Sequence, residues 1–175
     1  MNSTMKYLSA FLLSISLAEY ASAADNVTLQ ISGKIIASPC TTINGGVNPL
    51  VVPLGDNIPA SSLASAGSNS SAVEFDLPLT GCPSGTSNIK ATCTGTPDVN
   101  APDRWFNMAA SPATGTAVEL RDKATSVLIS NGSVLTAPVS SNKATFRLKA
   151  SAYSKSGGAL PGDVSTVIVA SFVYQ

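Results

Sequence analysis

Catalysis at neutral pH usually draws on histidine, and this chain of 175 residues has none. That removes the commonest general base, the Ser-His and Cys-His nucleophile pairs and the commonest zinc ligand. Ser-x-x-Lys occurs at Ser87 to Lys90 and at Ser140 to Lys143, but without the further motifs that such a nucleophile needs. In a chain this rich in serine both matches are read as chance. The acidic residues are scattered, and no D-x-D-x-D-G calcium loop occurs. No catalytic residue, metal site or cofactor is expected, and the chain is not read as an enzyme.

Three cysteines carry the remaining chemistry. Cys40 and Cys82 each stand beside a proline at the edge of a strand-like run. Cys93 shares an apolar face with Ile89 and Ala91 and is read as a small buried hydrophobe. A Cys40–Cys82 bridge is therefore expected, and pairings through Cys93 stay open. Closing that loop would contribute about 4 kcal/mol in the chain-entropy picture. Lys90 lies on the opposite face from Cys93, so nothing activates the thiol.

The elements that carry these residues read as strands. Charged residues are 11% of the chain and cancel to zero, which excludes the basic face of a nucleic-acid binder. Apolar residues reach 44%, too many for a disordered chain. Ser, Thr, Ala, Val, Gly and Pro dominate and favour short strands and turns. Residues 1–23 read as an export signal: Lys6 first, a short apolar stretch from Tyr7 to Ala18, then Ala21-Ser22-Ala23 as the cleavage site. No later run suits a transmembrane helix. About 150 residues remain, enough for one domain with its own core.

Strands are expected at Ala72 to Thr80, Asn88 to Gly95, Trp105 to Met108, Ala117 to Arg121, Ser126 to Ile129, Lys143 to Ala152 and Asp163 to Gln175. Val47 to Leu54 is broken by Pro49 and Pro53 and reads as an edge or irregular strand. Pro59 to Ser71 reads as a loop with one helical turn. The pattern indicates an antiparallel β-sandwich or barrel.

The two ends stand out. Val27, Leu29, Ile31, Gly33 and Ile35 alternate with Thr28, Gln30, Ser32, Lys34 and Ile36, an amphipathic strand with no hairpin partner. The last strand carries Val164, Thr166, Ile168, Ala170, Phe172 and Tyr174 on one face and Val167, Val169 and Val173 on the other. Apolar residues on both faces predict a strand covered on both sides. It has a neighbour before it and none after, so it can border a gap, which the first strand is long enough to fill.

With Pro39-Cys40, with Leu79-Thr80-Gly81-Cys82-Pro83, with Gly162 fourteenth from the last residue and with Tyr174 next to last, the chain resembles subunits of chaperone–usher pili, most of all minor subunits of type 1-like fimbriae. Cys93 departs from the pattern. The resemblance covers residues 24–175 and implies an incomplete immunoglobulin-like β-sandwich, residues 40–175, preceded by a donor-strand extension, residues 24–39. It implies three kinds of partner: a periplasmic chaperone, the outer-membrane usher and neighbouring pilus subunits. No nucleic acid and no small-molecule substrate are implied. The chaperone would lend a strand beside Gly162 to Tyr174 and hold the carboxylate of Gln175. The extension of another subunit would then replace it, seating Val27, Leu29, Ile31, Gly33 and Ile35 in successive pockets. The product would pass through the periplasm to the cell surface as part of a fimbrium. A major shaft subunit is the alternative, and a small secreted carbohydrate-binding domain, with Trp105 as stacking platform, is the remote one.

Overall fold

The computed structural model describes residues 27–175, so the expected signal, residues 1–23, and Ala24 to Asn26 lie outside the described residues. Nine strands form two antiparallel sheets: β1 (Thr42–Ile43), β2 (Ser68–Asn69), β3 (Val73–Thr80), β4 (Asn88–Gly95), β5 (Trp105–Phe106), β6 (Ala117–Asp122), β7 (Val134–Pro138), β8 (Lys143–Ser154) and β9 (Ile168–Tyr174). Sheet A runs β1-β3-β8-β6-β5, with β2 also on β8, and sheet B runs β7-β4-β9. Two 3₁₀ turns, Asn44–Gly46 and Ala60–Leu63, supply the little helix among the described residues. No helix of the described residues is long and apolar enough to cross a membrane.

Period-two alternation builds this sandwich. On β8, Ala144, Phe146, Leu148 and Ala150 are buried, while Lys143, Thr145 and Arg147 stay in water. Leu77 and Leu79 of β3 pair with Phe146 and Ala144, which sets one core layer. β4 answers from sheet B with Ile89, Ala91 and Cys93, all buried. Trp105 is fully buried, and its Nε1–H donates to the Ile129 carbonyl at 2.9 Å. An indole held this way cannot serve as a sugar-stacking platform, so the carbohydrate reading of Trp105 is corrected.

Charge on the outer face of sheet A is organised around Glu119. Its carboxylate contacts Arg121 Nε at 2.5 Å and Arg104 Nε at 2.6 Å, the second contact ionic and off the hydrogen-bond line. Arg104 also pairs with Asp103 and lies 4.5 Å over the Tyr153 ring. Burial alone would raise the Glu119 pKa. The hydrogen bond from Arg121 and the charges of Arg104 and Arg121 outweigh it and hold the carboxyl below its ordinary value.

Several strand boundaries differ from expectation. Val27 to Ile36 carries no strand assignment, and its apolar side chains are exposed. Ser126 to Ile129 is irregular chain with one isolated bridge, Leu128 to Arg121, because it returns from a turn over residues 123–125 and Ile129 drops into the core beside Trp105. β7 was not expected; its run, Val134 to Pro138, holds an edge of sheet B, where a terminal proline is tolerated. The last strand begins at Ile168 rather than Asp163, because its partner β4 ends at Gly95, which pairs with Ile168. Its outer face is open to water, not covered: Val169 and Val173 are each 56% exposed. Sheet B is antiparallel, and such a sheet needs only one covered face.

Candidate strand-acceptor groove

β9 holds sheet B at one edge and pairs only with β4. Gln175 N donates to Asn88 O and Gln175 O accepts from Asn88 N, both at 2.9 Å, so odd-numbered residues bond toward β4. Successive N–H and C=O pairs of an extended strand point to alternate edges. Ile168, Ala170 and Phe172 therefore present their backbone groups to the other edge, where no strand pairs among the described residues. Unpaired edge groups of this kind are a template for an added strand.

Beside that edge lies a groove of about 1220 Å³. Gly162, Val164, Thr166, Ile168, Ala170 and Phe172 form one wall, and Phe75, Leu77, Phe146 and Leu148 of sheet A form the floor. Val164, Thr166, Ile168, Ala170, Phe172 and Tyr174 alternate as half-buried residues between exposed ones. Val164, Ile168 and Phe172 pack on the core on one side and line the groove on the other. The far wall comes from residues 47–58, including Leu50, Leu54 and Ile58. Pro49 and Pro53 have no N–H to give a ladder, and the segment forms no strand.

Two of the expected site residues lie outside this groove. Tyr174 packs against the core opposite Ile89 and does not line it. Gln175 does not line it either; its carbonyl accepts from the N–H of Ser87 at 2.6 Å as well as from Asn88. Gly162 belongs to the groove end for a steric reason: a Cβ there would stand 2.5 Å from Ala113 N and 2.7 Å from Ala113 Cα. Val27, Leu29, Ile31 and Ile35 are 79%, 79%, 90% and 100% exposed, and nothing lies within 4 Å of a Cβ built on Gly33. Cys40 and Cys82 form a disulfide, while Cys93 is free and buried on the groove floor. Burial raises the Cys93 pKa, which keeps the thiol protonated.

Sequence reading missed Asn107. It is 3% exposed, and its amide is fully used. Nδ2 donates to Thr116 Oγ1 and to Asp163 O, each at 2.9 Å, while Oδ1 accepts from Ala109 N and Ser165 N. The clamp fixes the chain at the groove end, where β4 no longer reaches. Only its position between buried Trp105 and apolar Met108, on a strand-like run, could have marked it.

A sandwich with one open edge, a groove along it and a disulfide at the root of an exposed extension is the architecture of a pilin. A model of the family described as fimbrial protein matches residues 29–174. The chain belongs to the fimbrial protein family. Among its relatives in Escherichia coli, the S-fimbrial adhesin protein SfaS of strain 536 is 34% identical over 156 residues, 89% of each chain. Protein FimG of strain K12 is 32% identical over 163 residues, 92% of each chain. The solved fold of the P pilus rod subunit PapA superposes with a TM-score of 0.63 at 20% identity, covering 79% of this chain and 100% of that one. A subunit from a chaperone–usher pilus structure gives 0.61 at 19% identity, covering 90% and 100%. The resemblance to chaperone–usher pilus subunits read from the sequence stands, and the fold is the immunoglobulin-like sandwich of such pilins. The chain is a fimbrial, structural subunit.

Proposed function

We propose that this subunit polymerises by donor-strand exchange, as a minor, adaptor-type member of its pilus. The observation that carries the reading is the pairing of an open β9 edge and an empty apolar groove with an exposed extension of matching pattern, Val27, Leu29, Ile31, Gly33 and Ile35. Burying four such apolar side chains would contribute roughly 6 to 12 kcal/mol before ordering costs. The short extension ahead of Cys40 supports the minor placement. Residues 1–23 are removed on export, 24–39 form the donor strand and 40–175 the pilin domain. A periplasmic chaperone first fills the groove, and at the outer-membrane usher the extension of a neighbouring subunit displaces it, which delivers the fibre to the cell surface.

The direction of the incoming strand follows from the root of the extension. Thr86 Oγ1 donates to Ser38 O at 3.2 Å, and the next residue, Ser87, bonds Gln175. Each subunit's extension thus leaves at the Gln175 end of β9. Two neighbours fit on one domain only at opposite ends, so the incoming strand enters at the Gly162 end and runs antiparallel to β9.

The test is to express Ala24 to Gln175 alone, and again with a copy of residues 24–36 appended after Gln175 through a short linker. The first is expected to be unstable or to form oligomers, and the second to be a monomer with a much higher Tm. A stable, unextended monomer would refute the reading.

A further inference from the structure

The extension and the last segment each carry a single charge on the outer face, and the two charges are opposite. On the extension that face holds Thr28, Gln30, Ser32, Lys34 and Ile36. On the last segment it holds Asp163, Ser165, Val167, Val169, Ser171 and Val173, all exposed. No ion pair engages Lys34 or Asp163 among the described residues. Asp163 N donates to Ser111 O at 2.7 Å, and Asp163 O accepts from Ala113 N at 2.9 Å. Ser165 O accepts from Met108 N at 2.8 Å. Odd-numbered residues thus turn their backbone away from the open edge as far back as Asp163, and Val164 and Thr166 are left facing it. The edge that a donor strand can use runs from Phe172 to Val164.

Antiparallel seating of Val27 to Ile35 on that edge sets Val27 opposite Phe172, Ile31 opposite Ile168 and Ile35 opposite Val164. Lys34 then stands opposite Ser165, with Asp163 as its diagonal neighbour on the same face. Diagonal neighbours lie roughly 7 to 8 Å apart, a span that a long side chain crosses. We infer that, in a joint between two copies of this chain, Lys34 of the donor ion-pairs with Asp163 of the acceptor on the outer face of the completed sheet. The inference rests on the donor-strand reading above, and it names a second copy of this chain as a partner that the groove fits. The pair also marks register. A slip of the donor by two residues toward Gln175 leaves Lys34 opposite Val167, with Asp163 four residues away, roughly 13 Å, and salt screens most of the attraction.

A charge-swap cycle on the donor-extended monomer tests it. The monomer is the chain from Ala24 to Gln175 with the copy of residues 24–36 appended after Gln175. Lys34→Glu is made in the appended copy, Asp163→Lys in the domain, and then both together. Each single reversal places like charges side by side and is expected to lower Tm by about 2 to 4 °C in low salt. The double reversal restores the pair and is expected to return Tm to within about 1 °C of the unaltered monomer. In 1 M sodium chloride the differences should shrink to about 1 °C or less. Thr28→Glu in the copy, opposite Ser171 and far from Asp163, should shift Tm equally with Asp163 and with Asp163→Lys. If the appended copy raises Tm but the two reversals simply add, the pair is wrong while strand donation survives. If the appended copy does not raise Tm at all, strand donation fails and the pair falls with it.

Discussion

Asn107 shows how one side chain can substitute for a missing stretch of ladder. Past Gly95, β4 no longer pairs with the last segment, so Asp163 and Ser165 lack a regular strand partner. The amide supplies both a donor and an acceptor to that backbone. Asn107→Ala leaves the Ser165 and Ala109 N–H groups short of a partner and costs about 3 kcal/mol, because unmade buried hydrogen bonds are expensive. Denaturant unfolding of the donor-extended monomer checks this, and a loss under about 1 kcal/mol would remove the clamp from the account. Asn107→Asp keeps the acceptor for Ser165 N and should recover part of the loss.

At the scale of the element, the extension exposes its apolar face, and under the donor-strand proposal that face is meant for a neighbouring subunit. Leucine at Gly33 meets nothing, since no atom lies within 4 Å of a Cβ there. Gly33→Leu should therefore leave folding and chaperone binding intact while blocking the joint, where backbone must approach the groove closely. Pull-down with the chaperone and a count of polymers by native electrophoresis read both effects. Polymer yield equal to that of the unaltered chain would deny Gly33 its place in a pocket. β9 was legible as a strand from its alternation. Its start and its open outer face were not legible, because both depend on where β4 ends and on a sheet covered on one side only. Ser126 to Ile129 misled for a related reason: a β-rich composition cannot distinguish a strand from an irregular stretch that makes one bridge and sends one residue into the core.

At the scale of the molecule, stability should fall with acid. The folded pKa values of Glu119 and Asp122 both lie below their ordinary values, the second because of hydrogen bonds led by the Thr125 N–H. A depressed folded pKa stabilises above the unfolded pKa and is lost as pH falls through the folded one. The donor-extended monomer should hold a constant Tm from neutral pH down to about pH 5 and lose stability below about pH 4. Glu119→Gln should flatten part of that decline, at the cost of lower stability at pH 7, since buried Arg104 would lose its buried counter-charge and keep only the exposed Asp103. Melting curves between pH 3 and pH 7 decide this, and an unchanged slope in Glu119→Gln would place the acid sensitivity elsewhere.

From the residues alone came the strand character, the apolar faces, the cysteine partners and the two unusual ends, because each is a local pattern of period two or a short spacing. Tertiary structure alone decided that a proline-broken segment makes the far wall of the groove. It alone decided that Tyr174 belongs to the core rather than the groove and that Asn107 and Glu119 knit distant segments. Those facts concern which strand lies beside which, and neighbours brought together across many residues by burial leave no period in the chain.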